Sequence, residues 1–146
     1  SNLEKNVIWL GYVDEQYMPV LYRRSHGLVF PSYFEGFGIP ILEALFSKTP
    51  VITSQGGCFS ETGGEHSIYI NPLSVSEITS AITKITTDTN LRNTMIEKGY
   101  NETIDYMNSK VSKKYDNNYY HLLDRIGSVS RFLLKGNDYY NNSPSL

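Results

Sequence analysis

Short apolar runs, each closed by a glycine, a proline or another turn-forming residue, divide the first half of the chain. Continuous apolar runs of this length are typical of strands that are buried on both faces of a parallel sheet. Stretches with helical spacing separate them, which predicts an α/β protein with a parallel sheet of about four strands and flanking helices. The predicted strands are residues 7–10, 28–30, 50–53 and 68–70.

Helical signals fill the spaces between these runs. Asp14 suits a helix N-cap, and Pro19 predicts a broken turn that is followed by a short helix. A second helix is expected to open at Pro40, because a proline in the first turn loses no helical hydrogen bond. Its wide apolar face carries Ile41, Leu42, Leu45 and Phe46.

From about residue 74 onward the pattern is helical. Ser74 or Ser76 suits the N-cap of an amphipathic helix, and two further amphipathic stretches cover roughly residues 91–107 and 110–126. These helices form a predicted C-terminal cap over the sheet. The end of the chain is rich in Asn, Tyr and Ser, and we expect its last residues to be poorly ordered. The predicted organisation is one domain and a partly disordered tail, residues 1–126 and 127–146.

Composition and charge remove several classes of protein. The chain has 146 residues, with 13 Lys and Arg against 15 Asp and Glu, so its formal net charge of −2 gives no reason to expect a nucleic-acid partner. The single cysteine, Cys58, cannot form an internal disulfide, and His26, His66 and His121 lack metal-ligand spacing. The sequence has no signal-peptide pattern and no apolar run that could span a membrane. A cytoplasmic globular domain is the expectation that remains.

The loop between the second predicted strand and the Pro40 helix carries the candidate chemistry. Ligands of open parallel sheets bind at the carboxyl ends of the strands, where this loop lies. Gly36 and Gly38 allow close backbone approach, and the helix N-terminus favours phosphate. Glu43 could accept hydrogen bonds from a ribose diol, and Glu35 would project over the same mouth. Together these features suggest a nucleotide sugar, although a βα connection with an ordinary first-turn glutamate fits the same residues.

A longer stretch carries a resemblance. The sequence VFPSYFEGFGIPILEALFSKTPVITSQGG resembles the signature of family four of the retaining, GT-B-type glycosyltransferases (group 1), in which two glutamates are separated by seven residues. The segments VIWLGYV, TPVITS, SETGG and YINPLS match further motifs of that family in the same order. The similarity covers about residues 6–123. It implies a partial Rossmann-like sheet, the C-terminal portion of a GT-B fold, which binds the sugar donor.

The resemblance implies a role for each matching residue. Glu43 would bind the ribose hydroxyls, and the backbone N–H groups of Gly38 and Ile39 would hold the diphosphate or the sugar. Glu35 would be the catalytic residue, in contact with sugar hydroxyls near the anomeric carbon. The remaining implied donor-binding residues are Gly36 and Phe37 in the same loop, Gly11, Tyr12 and Val13 lining the base, and Glu61 as a supporting residue near the mouth.

The sequence also departs from the family. The family enzymes carry an N-terminal acceptor domain, and an Arg and a Lys from a glycine-containing loop that precedes the matched motifs. The acceptor domain and the Arg/Lys loop would both be missing here, so we expect little or no transferase activity from this chain alone. An acceptor glycan or lipid would be bound through the missing domain. No metal is expected, because the sequence has no Asp-x-Asp motif.

The resemblance and the predicted sheet together suggest partners and a location. The family commonly acts in polysaccharide assembly, which suggests a place at the inner face of the membrane. Basic side chains of the C-terminal helices are compatible with weak membrane contact. An unpaired edge of the sheet is compatible with self-association. Two other functions stay open: a non-catalytic remnant that serves as a binding module, and a different enzyme of the same architecture, such as a sugar-nucleotide epimerase or a phosphorylase.

Overall fold

A parallel sheet of three strands forms the centre of the molecule. The computed structural model describes residues 3–111, and within them the strands are β1 (Leu28–Phe30), β2 (Val51–Ser54) and β3 (Ile68–Ile70), in the order β1-β2-β3. Leu28 lies opposite Val51, and Ile52 lies opposite Ile68. The α/β class and the parallel, Rossmann-like arrangement predicted from the sequence are confirmed.

Five helices surround this sheet in the described part of the chain. Two 3₁₀ turns, Leu3–Asn6 and Glu15–Tyr17, precede the first of these helices. The helices are α1 (Met18–Arg24), α2 (Ile39–Phe46), α3 (Gly57–Gly63), α4 (Val75–Thr87) and α5 (Thr89–Val111).

The two predicted N-caps at the starts of helical segments are present. The Asp14 carboxylate accepts a hydrogen bond from the backbone N–H of Gln16, and it caps the short 3₁₀ turn that leads into α1. Pro19 lies in the first turn of α1, so the predicted broken turn and short helix are confirmed. Between the two serine candidates, Ser74 caps α4, because its hydroxyl accepts from the backbone N–H of Glu77.

The central strand β2 carries the core on both faces of the sheet, and all four of its residues are buried. Val51 packs with residues of α1, α2 and α3, whereas Ile52 packs with residues of β3, α4 and α5. The cluster around Val51 contains Tyr22, Ile41, Ala44, Leu45 and Phe59, and the cluster around Ile52 contains Ile70, Ala81, Ile85 and Met95. This burial on both faces explains why apolar and polar residues do not alternate along the strand.

Helix α5 supports α2 from behind. Leu42 is fully buried against Met107, and the rings of Phe46 and Tyr100 meet edge to face with their centroids 6.0 Å apart. The ammonium of Lys48 lies 5.0 Å from the centre of the Tyr100 ring. The helix that follows the candidate loop is therefore held against α5 at Leu42 and Phe46.

Glu102 of α5 also ties down the connection between α3 and β3. Its carboxylate lies 2.6 Å from Nδ1 of His66 and accepts the backbone N–H of Glu65 at 3.1 Å. The Tyr69 hydroxyl donates to the carbonyl of Gly64 at 2.6 Å, and burial, with the Glu102 charge nearby, raises the pKa of Tyr69 to about 12. The phenol therefore remains a hydrogen-bond donor throughout the physiological pH range.

The prediction of a buried strand at residues 7–10 is wrong. This segment belongs to no strand of the structure, and Ile8 and Trp9 expose 82% and 91% of their surface. A strand requires a hydrogen-bonded neighbour as well as an apolar sequence. The described residues supply no such neighbour beside this segment, since the sheet has only the order β1-β2-β3.

Two other boundaries differ from the sequence-based expectation. The region from Gly56 to Gly64, in which no helix was predicted, contains the helix α3. Helix α5 runs without interruption to Val111, across the break that we placed between residues 107 and 110. The rest of the predicted helix at 110–126 and the predicted tail at 127–146 lie outside the described residues, and with them the proposed domain division.

Candidate functional site

The loop after β1 is attached to the carboxyl end of β2 by side-chain hydroxyls. The Thr53 hydroxyl donates to the carbonyl of Phe30 at 3.0 Å, and the Ser54 hydroxyl donates to the carbonyl of Ser32 at 2.6 Å. Ser54 is almost fully buried. These two bonds hold the start of the glycine loop over the edge of the sheet where parallel-sheet ligands bind.

Glu35 is half-buried on this loop and has partners on two elements. The Ser32 hydroxyl lies 3.4 Å from Oε1 of the Glu35 carboxylate and 3.1 Å from the carbonyl of Phe34. The thiol of Cys58, at the start of α3, donates to the Glu35 backbone carbonyl at 3.1 Å. Both the backbone and the side chain of Glu35 therefore have a defined place.

The tip of α2 has the features that an anion site needs. Gly38 is the N-cap residue, with a left-handed φ of 77°, and no side chain caps the helix. Its carbonyl accepts the backbone N–H groups of Ile41 at 3.0 Å and Leu42 at 3.4 Å. A helix start without a side-chain cap presents the positive end of the helix dipole to a ligand, and this start follows directly on the Glu35 loop.

Helix α3 supports this tip from the side. A Cβ atom built on Gly38 would lie 2.9 Å from Oγ1 of Thr62, whose hydroxyl donates to the carbonyl of Cys58 at 2.7 Å. The same construction on Gly36 meets nothing within 4 Å. Gly38 therefore faces protein and Gly36 faces open space, so only the second leaves room for a ligand atom beside its Cα.

Glu43 lies in the second turn of α2 and is only 5% exposed. The hydroxyl of Tyr22, from α1, donates to its Oε2 atom at 3.3 Å. An ordinary glutamate that complements the helix dipole would lie in the first turn and in solvent, and α2 has no acidic residue in its first turn. Burial of a carboxylate requires hydrogen-bond donors, and this one has at least the tyrosine.

The Cys58 thiol is influenced by the charges of two carboxylates. Burial raises the pKa of its thiol, and the negative charges of Glu35 and Glu61 raise it further. The charges of Glu35 and Glu61 therefore act on the same thiol, and the supporting role of Glu61 near a donor stays a prediction. The Glu61 carboxylate itself is exposed, with the Tyr106 hydroxyl of α5 at 3.5 Å from its Oε1 atom.

The family model described as Glycosyl transferases group 1 matches residues 1–102, well over half of the chain. The chain belongs to this family. The resemblance read from the E-G-F-G-x-P-x-x-E-A motif is thereby confirmed, and the loop and helix tip described above are those of a group 1 glycosyltransferase. No solved structure shows a significant match to this chain.

Curated relatives of this group 1 chain include three bacterial mannosyltransferases. It is 38% identical over 80 residues to the serotype-specific mannosyltransferase WbdA of Escherichia coli, which covers 55% of the chain and 10% of WbdA. It is 34% identical over 91 residues to the O-antigen chain mannosyltransferase B of E. coli, and this match covers 62% of the chain and 24% of that protein. With the O-antigen chain mannosyltransferase RfbU of Salmonella typhimurium the identity is 40% over 83 residues, covering 57% and 24%.

The chain thus spans about a tenth to a quarter of the length of these relatives. Within residues 3–111 no helix is both long enough and apolar enough to cross a bilayer.

The segment of this group 1 chain that is predicted to line the base is largely exposed. Gly11 has a left-handed φ of 63°, Tyr12 is 91% exposed, and Val13 is half-buried. These residues follow the exposed segment at 7–10. Their contact with a base stays a prediction, as do the ligand contacts of the loop and α2 residues.

Sequence reasoning missed several residues that shape this site. Ser32 and Ser54 stand at the carboxyl ends of neighbouring strands, and the rule that ligands bind there could have identified them. Thr62 and Cys58 were missed as supports of the site because no helix was predicted at α3. Tyr22 carried no signal at all, since only the fold brings it to Glu43, 21 positions away in the sequence.

Alkylation of Cys58 measures the proximity of Glu35. We expect iodoacetamide to react with Cys58 more slowly at pH 8 than with a free cysteine, because a raised pKa leaves less thiolate at a given pH. Glu35→Gln removes one cause of the shift, so the pH profile of the rate should move to lower pH. The Cys58 bond to the Glu35 backbone remains available in this variant. Glu97→Gln, on the exposed side of α5, is the control, and equal profiles for both variants would contradict the arrangement.

Proposed function

We propose that the Glu35 loop and the tip of α2 bind the diphosphate and ribose of a nucleotide-sugar donor, and that the reaction served is mannosyl transfer with retention of anomeric configuration. The observation that carries the proposal is the geometry at Gly38. A left-handed glycine starts α2 without a side-chain cap, directly after Glu35 and one turn before the buried Glu43. Mannose is proposed because the curated relatives named above are mannosyltransferases.

The site suits the charge that such a reaction develops. The bond between the anomeric carbon and the phosphate oxygen breaks, and the nucleoside diphosphate leaves with the bonding electrons. The backbone N–H groups at Gly38 and Ile39 stabilise the negative charge on the leaving phosphate. The Glu35 carboxylate stabilises the positive charge at the anomeric carbon. The acceptor hydroxyl then bonds to the same face of the sugar, and its proton passes to the leaving phosphate oxygen.

The proposal assigns donor binding to this chain and no more. The matched region is a small part of each relative, so the acceptor, and cationic partners for the diphosphate, are not assigned to residues of this chain. The proposed site includes no metal ion, because the helix tip supplies positive charge. We expect the 146-residue chain to bind a donor in the presence of EDTA, and alone to transfer little or no sugar.

A nucleotide titration of the ¹⁵N-labelled chain tests this proposal. GDP-mannose, GDP, UDP and ADP are added to millimolar concentration, and we expect amide shifts at Gly38, Ile39 and Glu43. Glu43→Ala should weaken binding about tenfold or more, since a hydrogen bond to a charged group contributes about 1.5–3 kcal/mol. The isosteric Glu43→Gln variant serves if the alanine variant unfolds.

Glu97→Gln is again the matched control, because it removes the same charge from an exposed position of α5. Its affinity should equal that of the unmodified chain. The proposal fails if no nucleotide shifts these amides, or if Glu43→Ala binds as tightly as the control. Absence of binding would favour one of the two other functions considered above, a non-catalytic module that does not bind a sugar donor.

A further inference from the structure

Helix α1 contributes one buried aromatic side chain to the site. Tyr22 is 7% exposed, and its ring packs in the cluster with Ile41, Leu45 and Phe59. The hydroxyl at the end of the ring lies 3.3 Å from Oε2 of Glu43. Both partners of this hydrogen bond are buried, which makes the bond stronger than the same contact in water.

The ring and the hydroxyl of Tyr22 meet different needs. The surrounding cluster is apolar, so a phenylalanine ring would fill the same volume. The hydroxyl is the part that faces Glu43, where it donates to a carboxyl oxygen that accepts. The contact therefore serves Glu43 and not the packing of the core.

The backbone around Tyr22 is fixed, which makes it a suitable anchor. The Tyr22 carbonyl accepts both the hydroxyl of Ser25, at 2.7 Å, and its backbone N–H, at 3.0 Å, at the end of α1. At the other end of the helix, Pro19 is fully buried. A donor on such a helix can hold a carboxylate in one orientation.

We infer that Tyr22 is a positioning residue, whose hydroxyl orients the Glu43 carboxylate to receive the two ribose hydroxyls of a nucleoside diphosphate. This inference rests on the proposed function. A diol requires acceptor oxygens in fixed positions, and a carboxylate that Tyr22 already holds at Oε2 loses less freedom when the ligand binds. Tyr22 itself does not touch the ligand.

The test is Tyr22→Phe, measured with two ligands, GDP and 2′,3′-dideoxy-GDP. We expect the affinity for GDP to fall about three- to tenfold, and the affinity for the dideoxy nucleotide, which has no diol, to stay the same. The selectivity for the ribonucleotide should therefore decrease. If Tyr22 had only a structural role, its replacement would lower the affinity for both ligands by the same factor, and that result would overturn the inference.

Three further variants complete the design. Tyr17→Phe removes the same hydroxyl from the exposed turn before α1, where the side chain is 58% exposed, and should change neither affinity. Glu43→Ala should abolish the selectivity, and adding Tyr22→Phe to it should produce no further loss for GDP.

The outcomes separate the two proposals. If the unmodified chain does not prefer GDP to the dideoxy nucleotide, the assignment of Glu43 to ribose fails, and the role of Tyr22 fails with it. If Glu43→Ala loses the preference and Tyr22→Phe retains it in full, the proposed function stands and only the role of Tyr22 is overturned.

Discussion

Truncation of Ile52 to alanine is expected to lower the free energy of unfolding by about 2–5 kcal/mol. Ile52 lies in the central strand β2, is fully buried, and packs against Ile70, Ala81 and Ile85. The strand is hydrogen-bonded to β1 on one side and β3 on the other. It cannot move into the space left by the side chain without disturbing both ladders, so the cavity would collapse only in part.

Urea unfolding followed by far-ultraviolet circular dichroism measures this loss. Ile82→Ala is the matched control, because it removes the same atoms from a side chain of α4 that is 39% exposed. There the expected change is smaller, about 1 kcal/mol, since the side chain is already partly in solvent and alanine favours a helix. Equal losses in the two variants would contradict the assignment of β2 as the centre of the core.

Replacement of Gly38 by alanine is expected to cost about 1–2 kcal/mol in stability and to abolish nucleotide binding. The backbone at this position is left-handed, with a φ of 77°, and the new Cβ would meet Thr62 Oγ1 at 2.9 Å and Ile41 Cδ1 at 3.3 Å. Relief of that contact would shift the tip of α2 away from α3. The N–H groups proposed to hold the diphosphate would move with it.

Gly36→Ala provides the comparison within the same loop. Gly36 is not among the glycines with positive φ, and its added Cβ would meet nothing within 4 Å. Its stability should change by less than about 0.5 kcal/mol. Urea unfolding and the GDP titration are measured on both variants, and a Gly38→Ala protein with unchanged stability and affinity would show that the left-handed start of α2 is not required.

The fold could be predicted from sequence wherever local pattern and tertiary surroundings agree. The predicted strands at residues 28–30 and 68–70 coincide with β1 and β3, and the prediction at 50–53 differs from β2 by one residue. These runs are apolar because helices cover both faces of the sheet. Asp14 and Ser74 were found for a related reason, since an N-cap needs only its own side chain and the next turn.

The failures arise where structure depends on something outside the local window. Residues 7–10 have the composition of a strand, but hydrogen bonding to a neighbour makes a strand, and the described structure contains none for them. Helix α3 was missed because glycines stand at both of its ends, and glycines indicate turns on local grounds; they are Gly56, Gly57, Gly63 and Gly64. The packing of this helix against α2, β2 and α5 is not visible in the local sequence.

The site was predicted in outline and not in its supports. The spacing of Glu35 and Glu43 around Gly38 could be read from the motif, because those residues are neighbours in the sequence. Their partners, Cys58 and Tyr22, come from α3 and α1, and only tertiary structure selects them. The ligand contacts of all these residues are the part that the titrations above decide.

The exposure of residue 9 has a practical consequence for every such experiment. Trp9 is the single tryptophan of the chain, and 91% of its surface is in water in the folded molecule. Indole emission depends on the polarity around the ring, which changes little here when the core melts. Tryptophan emission therefore reports little of the unfolding of this protein, and a blue shift of its maximum would instead signal that another surface has covered this one segment.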